Sequence, residues 1–372
     1  MKLVGWLLLA GCCGMGLGAC AGSRSAPPPA AFDPLPRPEL IRLGGTVVRK
    51  DKDPLTGRHT YDDETLFHLA GDAERDGKIP RAIELYERLL AEFKEGIYVL
   101  PTLFNLGLMS EEAEDFEVAR GYYLRLLQGE RPGEAFRERI WIRGHFREAV
   151  CLGKLQRWWE AVGAFDFVLE LEDLDEAYHF EALTGRAISL HEAGDSEAAD
   201  IAFSKAYRFY RTMSVRHQRD ARDLAAETAY RMGEIARARY LGVKLEFPAD
   251  LMRERLEEKC THLLSAQGRY LRAIRYGDPS TVAAAGFYMG SLYEGLHDEI
   301  TDLEVPEELS EEQGAIYREE VADRVRILLE KAIRIYEKVL IAGVQGERGD
   351  WAEKIEQALE RLKSMYLEIE EG

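Results

Sequence analysis

From Asp63 onward, apolar residues recur at three- and four-residue intervals with charged residues between them, a period that predicts helices almost without interruption. The pattern also repeats at a longer interval. Ala82, Ala119, Ala161 and Ala199 are spaced by 37, 42 and 38 residues, and four residues after each stands an aromatic: Tyr86, Tyr123, Phe165 and Phe203. Twelve positions before each alanine is a small residue, Ala70, Gly107, Ala149 or Ala187, and turn steps such as Gly77-Lys78 and Gly194-Asp195 fall between. Two antiparallel helices approach closely only where one offers Ala or Gly to the other's bulky side chain, with an aromatic filling the gap to the next pair. The markers therefore predict four helix pairs, over residues 63–96, 100–133, 142–175 and 180–213.

Beyond residue 213 the pattern continues in degenerate form. Tyr230-Arg231-Met232-Gly233 and Tyr288-Met289-Gly290-Ser291-Leu292-Tyr293 read as first helices of further pairs, and the run from Glu330 to Leu340 as a second helix. Gly290 and Ala332 lie 42 positions apart, which predicts lengthened helices across 214–349 and a loop near Leu303 to Ser310, where Pro306 stands. Residues 350–372 carry Ile355, Leu359, Leu362 and Tyr366 at amphipathic spacing, as a terminal capping helix would.

These repeats resemble the tetratricopeptide repeat superfamily, whose period is near 34 residues. The resemblance implies an all-α fold, a right-handed superhelical solenoid of antiparallel helix pairs in which the first helices line a concave groove for partner proteins.

The start of the chain reads differently. Lys2 and the apolar run Leu3 to Met15 form a signal-like segment too short and glycine-rich to span a bilayer, followed by Leu17-Gly18-Ala19-Cys20. This resembles a bacterial lipoprotein signal, which implies removal of residues 1–19 and a diacylglycerol on Cys20. Leu9-Ala10-Gly11-Cys12 is a second match that would leave a shorter signal. Ala21 rather than aspartate after Cys20 implies the periplasmic face of the outer membrane as the address. Residues 20–62 comprise a Ser-, Ala- and Pro-rich extended tether to about Pro38 and an irregular lead-in, in which Thr46 to Arg49 suits a short strand.

Charge and chemistry narrow the function. The formal charge of −18, or −19 once Lys2 leaves with the signal, disfavours nucleic acid as a partner. Cys151 and Cys260 read as packed helical thiols, since residues a hundred positions apart fall on different layers of a repeat stack. The chain has no GxSxG, HExxH or GxxxxGK[ST] motif, and His191-Glu192 lacks a second histidine, so neither an enzyme, a metal nor a cofactor is expected.

The candidate binding residues come from the resemblance. Some tetratricopeptide proteins clamp a partner's terminal carboxylate, and Asn105, Arg143 and Arg147 fall on three of the five clamp positions, while Phe67 and Gly71 replace the expected lysine and asparagine. Arg143 and Arg147 are four apart on one helical face, where two guanidinium groups can share a carboxylate or phosphate or be balanced by Glu138 and Glu148. Trp158 suits the turn between two helices, and Trp159 is a candidate exposed contact.

The expected role is a scaffold contacting envelope proteins through its groove and the membrane through its lipid. The GFYMGSLYEGLHDE and IRIYEKVLIAG stretches resemble the end of outer-membrane tetratricopeptide lipoproteins of the myxobacterial gliding motility complex. Outer-membrane biogenesis, as a barrel-assembly lipoprotein or pilus pilotin, and binding of peptidoglycan or a cell-wall enzyme are the alternatives.

Overall fold

The computed structural model describes residues 35, 39–43, 61–129, 131–172, 174–246, 249–277, 279–304, 310–343 and 350–371. The signal, Cys20, nearly all of the tether and the expected strand at Thr46 to Arg49 lie outside these residues, as does most of the loop containing Pro306. Fourteen helices are found among the described residues, none of them long and apolar enough to cross a membrane. The contacts divide the chain into two compact units, Pro29–Ala202 and Phe203–Gly372, with the division falling inside a helix.

The first unit is built from α1 (Asp63–Arg75), α2 (Ile79–Glu92), α3 (Val99–Glu112), α4 (Phe116–Leu126), α5 (Ala135–Lys154), α6 (Trp158–Glu170) and α7 (Glu176–Glu192), and runs into α8 (Ser196–Tyr210). One turn geometry joins the helices of each pair. Lys78, Asp115, Arg157 and Asp195 each donate their backbone N–H to the carbonyl five residues back, at Ala73, Ser110, Leu152 and Leu190. The residue before each donor is left-handed, with φ of 72° at Gly77, 59° at Glu114, 59° at Gln156 and 89° at Gly194. This arrangement satisfies carbonyls that the end of the first helix leaves open, and glycine adopts it without strain. Asp115 and Asp195 then cap the second helix, accepting from Val118 N at 3.2 Å and Ala198 N at 3.0 Å.

The sequence markers lie where the helices touch. Ala82, Ala119, Ala161, Tyr123 and Phe165 are fully buried, and Tyr86 nearly so. A Cβ added at Gly107 on α3 would stand 2.5 Å from Tyr123 Cε1, so only glycine lets the ring seat there. The first helices α3, α5 and α7 contact one another in succession and form a continuous row. Burying each Tyr or Phe contributes roughly 1.5–3 kcal/mol to the cohesion between neighbouring helices.

The second unit uses the same device in longer helices: α9 (Val215–Asp220), α10 (Arg222–Gly242), α11 (Ala249–Tyr276), α12 (Pro279–Thr301), α13 (Glu311–Gly343) and α14 (Asp350–Glu371). Gly233 on α10 faces the buried Tyr270 ring of α11, and Gly290 on α12 faces Tyr336 of α13. The lengthening is pronounced, with 28 residues in α11 and 33 in α13. Buried Lys259 of α11 donates to Val243 O at 2.7 Å, closing the C-terminal end of α10, and pairs with Glu299 at 2.6 Å. α14 packs on α12 and α13 through Ile355, Ala358 and Leu362. Cys151 and Cys260 are buried free thiols, and burial pushes the Cys151 thiol well above its ordinary range.

Candidate peptide-binding groove

α3 is apolar on nearly every face, with Leu103, Phe104, Leu106, Leu108 and Met109 all buried, and in their midst stands Asn105, the chain's one asparagine. Its side chain is fully buried, so the amide needs partners. It finds them on a segment 64 residues earlier: Asn105 Oδ1 accepts from Ile41 N at 2.7 Å, and Nδ2 donates to Ile41 O at 2.9 Å. Nδ2 also donates to the Tyr86 hydroxyl at 3.1 Å. One side-chain amide thus pairs with both main-chain groups of one residue, as a neighbouring β-strand would, which requires residue 41 to present its N–H and C=O to the same side.

The flanking residues of the segment are held as well. Ile41 packs into the cluster formed by Leu103, Phe104, Leu108 and Ile140, while Leu40 and Leu43 are partly buried against both this cluster and the one built on α1 and α2. Arg42 Nη2 pairs with Glu74 Oε2 on α1 at 2.9 Å, and Glu74 raises the Arg42 pKa. From α5, Arg143 Nη2 donates to Glu39 O at 3.3 Å, and its guanidinium lies 4.5 Å from the centroid of Phe104. A small cavity remains beneath the segment, walled by Phe67, His68, Gly71, Glu74, Arg75 and Tyr86. Phe67 and Gly71, the two departures from the carboxylate clamp, both line this cavity beside the charged side chains of Glu74 and Arg75. Burial pushes the Tyr86 phenol up to about 12, the hydrogen bond from Asn105 opposing it.

Arg147 has a different fate from Arg143. It is 4% exposed, donates from Nε to Glu111 Oε1 at 3.0 Å, and makes a second contact from Nη2 to Glu111 Oε2. Tyr123 donates to the same carboxylate at 2.6 Å. The two arginines therefore do not converge on an open carboxylate site. Glu148 and Glu138 are not the balancing charges either, since they pair with Arg120 and Arg131. Desolvation opposes the Arg147 charge, and Glu111 overcomes it, leaving the arginine pKa raised.

Two titratable groups nearby are held off their usual values. Burial pushes the Glu181 carboxyl on α7 up to about 8, with Arg147 opposing and Asp175 adding to the shift. Burial alone lowers His145 to about 4, in a site where Trp141 and Phe167 lie 4.2 and 4.6 Å from its ring. A carboxyl whose folded pKa lies above its unfolded value of about 4.5 binds more protons when folded, so the stability linked to it is lost as pH rises from 4.5 through 8. Glu181→Gln is accordingly expected to match the parent at pH 5 and to exceed it at pH 9 by on the order of 2–4 kcal/mol, read from urea unfolding at the two pH values.

Trp159 is 61% exposed near the start of α6, while Trp158 beside it is half-buried and Trp141 is buried. The residue that sequence reasoning missed is Ile41. Its signal was present: Leu40-Ile41-Arg42-Leu43 is a cluster of aliphatic residues directly after a proline-rich stretch that otherwise has little to bury.

Helix pairs with one repeated turn, a small residue under an aromatic and a row of first helices holding a non-helical segment define an all-α fold of tetratricopeptide type. Among solved structures, the chain is similar to a TPR repeats protein from Bacteroides fragilis, with 12% identity over 72% of this chain and 98% of that one at a TM-score of 0.38. The fold assignment rests on the helix pairs described above. No protein-family model matches the chain, and no curated protein matches it.

Proposed function

We propose that this protein is a non-enzymatic scaffold lipoprotein, anchored through Cys20 at the periplasmic face of the outer membrane, which assembles an envelope-spanning gliding motility complex. The observation that carries the interaction role is the pairing of Asn105 with both main-chain groups of Ile41, because it is sequence-independent chemistry suited to holding polypeptide in a helix-lined groove. The lipoprotein-like signal supports the anchor, and the residues around Gly290 and Tyr336 support the gliding assignment through their resemblance to such lipoproteins.

The anchor and the machine are tested separately. Cys20→Ala is expected to leave the helical circular dichroism unchanged and to move the protein from the membrane pellet to the soluble fraction, since acyl chains supply most of the membrane affinity. Release by Cys12→Ala instead would transfer the lipid to that residue, and retention of both variants at high salt would remove the lipid from the reading. Crosslinking in living cells, followed by purification and mass spectrometry, is expected to recover trans-envelope motility proteins. Recovery of barrel-assembly or secretin proteins in their place would move the chain to envelope biogenesis.

A further inference from the structure

We propose that the cleft between α1, α3 and α5 is an exchangeable peptide site, that Glu39 to Leu43 is its resident pseudo-ligand, and that the site's external ligand is an extended peptide with an aliphatic-aliphatic-basic-aliphatic sequence. The proposal rests on the scaffold reading in one respect, that the protein binds other proteins.

The segment is bound as a separate peptide would be. Its main chain is recognised at Ile41 by Asn105 and at Glu39 O by Arg143. Leu40, Ile41 and Leu43 reach the apolar clusters, and Arg42 reaches an acidic contact, Glu74. Neither the amide pairing nor the carbonyl contact depends on the side chain of the occupant, because any extended residue other than proline offers the same two groups.

Sequence preference comes from the walls. A small cavity, partly open to solvent, remains between Leu40 to Leu43 and the wall made by Phe67, Gly71 and Tyr86, with Glu74 and Arg75 at its side. A better-filling side chain from a partner has space to displace them. Glu74 and the formal charge of −18 both favour a basic residue on the incoming peptide.

Covalent attachment explains why the resident holds the site in the absence of a partner. Leu43 and the start of α1 at Asp63 belong to one chain, so the segment returns to the site in an intramolecular step that a free peptide has to match. Partners that bind more tightly than this exchange for it; weaker ones are excluded. The Arg42–Glu74 pair is partly solvated, with the arginine side chain 51% exposed, so the segment is closed on its outer edge only by a weak contact.

The test uses the full-length protein in detergent and a fluorescent peptide of the sequence Arg37 to Gly45, read by anisotropy. Ile41→Asp removes the resident's apolar contact, and that variant is expected to bind the peptide at least tenfold more tightly than the parent. The double variant Ile41→Asp/Asn105→Ala is expected to lose that binding, and a peptide carrying aspartate in place of isoleucine is expected not to bind. A folded Ile41→Asp variant that fails to bind would overturn the proposal. Should that variant not fold, hydrogen exchange on the parent decides. Exchange of the Ile41 amide at least a hundredfold faster than the slowest amides of α3 supports a segment that opens with the helices intact. Exchange at the same rate as those amides overturns the proposal and makes the segment a fixed strut. Envelope crosslinks that recover partners while the peptide fails to exchange would leave the scaffold reading standing and remove only this site.

Discussion

Gly107→Ala is expected to cost the first unit about 3 kcal/mol or more and to lower its urea midpoint accordingly. The added Cβ would stand 2.5 Å from Tyr123 Cε1 and 2.6 Å from Cζ, well inside contact distance. The ring cannot step aside cheaply, because Tyr123 is fully buried and its hydroxyl is tied to Glu111 at 2.6 Å. The control is Gly163→Ala on α6, where nothing lies within 4 Å of the new atom. There the substitution replaces a poor helix former with the best one, and a gain of about 0.5–1 kcal/mol is expected. Opposite signs from the same chemical change at two helical glycines would locate the cost in the Tyr123 contact. Equal effects would mean that backbone entropy dominates both.

Arg147→Met is expected to destabilise by about 3–5 kcal/mol, since it leaves the Glu111 carboxylate, with only the Tyr123 hydroxyl donating to it, without its balancing cation in a largely buried site. The pair is buried on both sides, with side-chain exposures of 5% for Arg147 and 9% for Glu111. Glu111→Leu in the same background removes the stranded charge, so the double variant is expected to recover much of the loss. Arg147→Lys keeps the charge but not the two-point contact and is expected to fall between. If Arg147→Met costs less than about 1 kcal/mol, the pair is solvated and contributes little to the fold. Because Arg147 also lowers the pKa of Glu181, its loss is expected to shift the Glu181 titration upward.

The helix pairs were legible in advance because their determinants are local and periodic. A small residue and an aromatic at fixed spacing specify a close approach wherever they recur, and Gly290 beside Tyr336 obeys the same rule as Gly107 beside Tyr123 despite the longer helices. The turns were only half legible. Gly77 and Gly194 announce a left-handed residue, whereas Glu114 and Gln156 adopt the same conformation with no residue-type signal, held there by the bonds of Asp115 N to Ser110 O and Arg157 N to Leu152 O. At the candidate site, the positions of Asn105, Arg143 and Arg147 could be placed on the row of first helices, but their partners could not. Arg147 and Glu111 are 36 residues apart, about one repeat, and Asn105 and Ile41 are 64 apart; the repeat brings neighbouring helices together but does not say which of their polar side chains pair, and Ile41 lies outside the repeats.

By itself the sequence determined a series of repeated helix pairs, with close contacts at Ala82, Gly107, Ala119 and Ala161, because hydrophobic spacing and side-chain size act within a turn or two of the helix. The approach of Gly185 to Phe165, two positions before the expected Ala187, came from the structure. Only the tertiary structure decided what the polar residues of the groove bind. A buried amide or guanidinium takes whichever complementary group the fold delivers to it, and here the fold delivered the Ile41 main chain to Asn105 and the Glu111 carboxylate to Arg147.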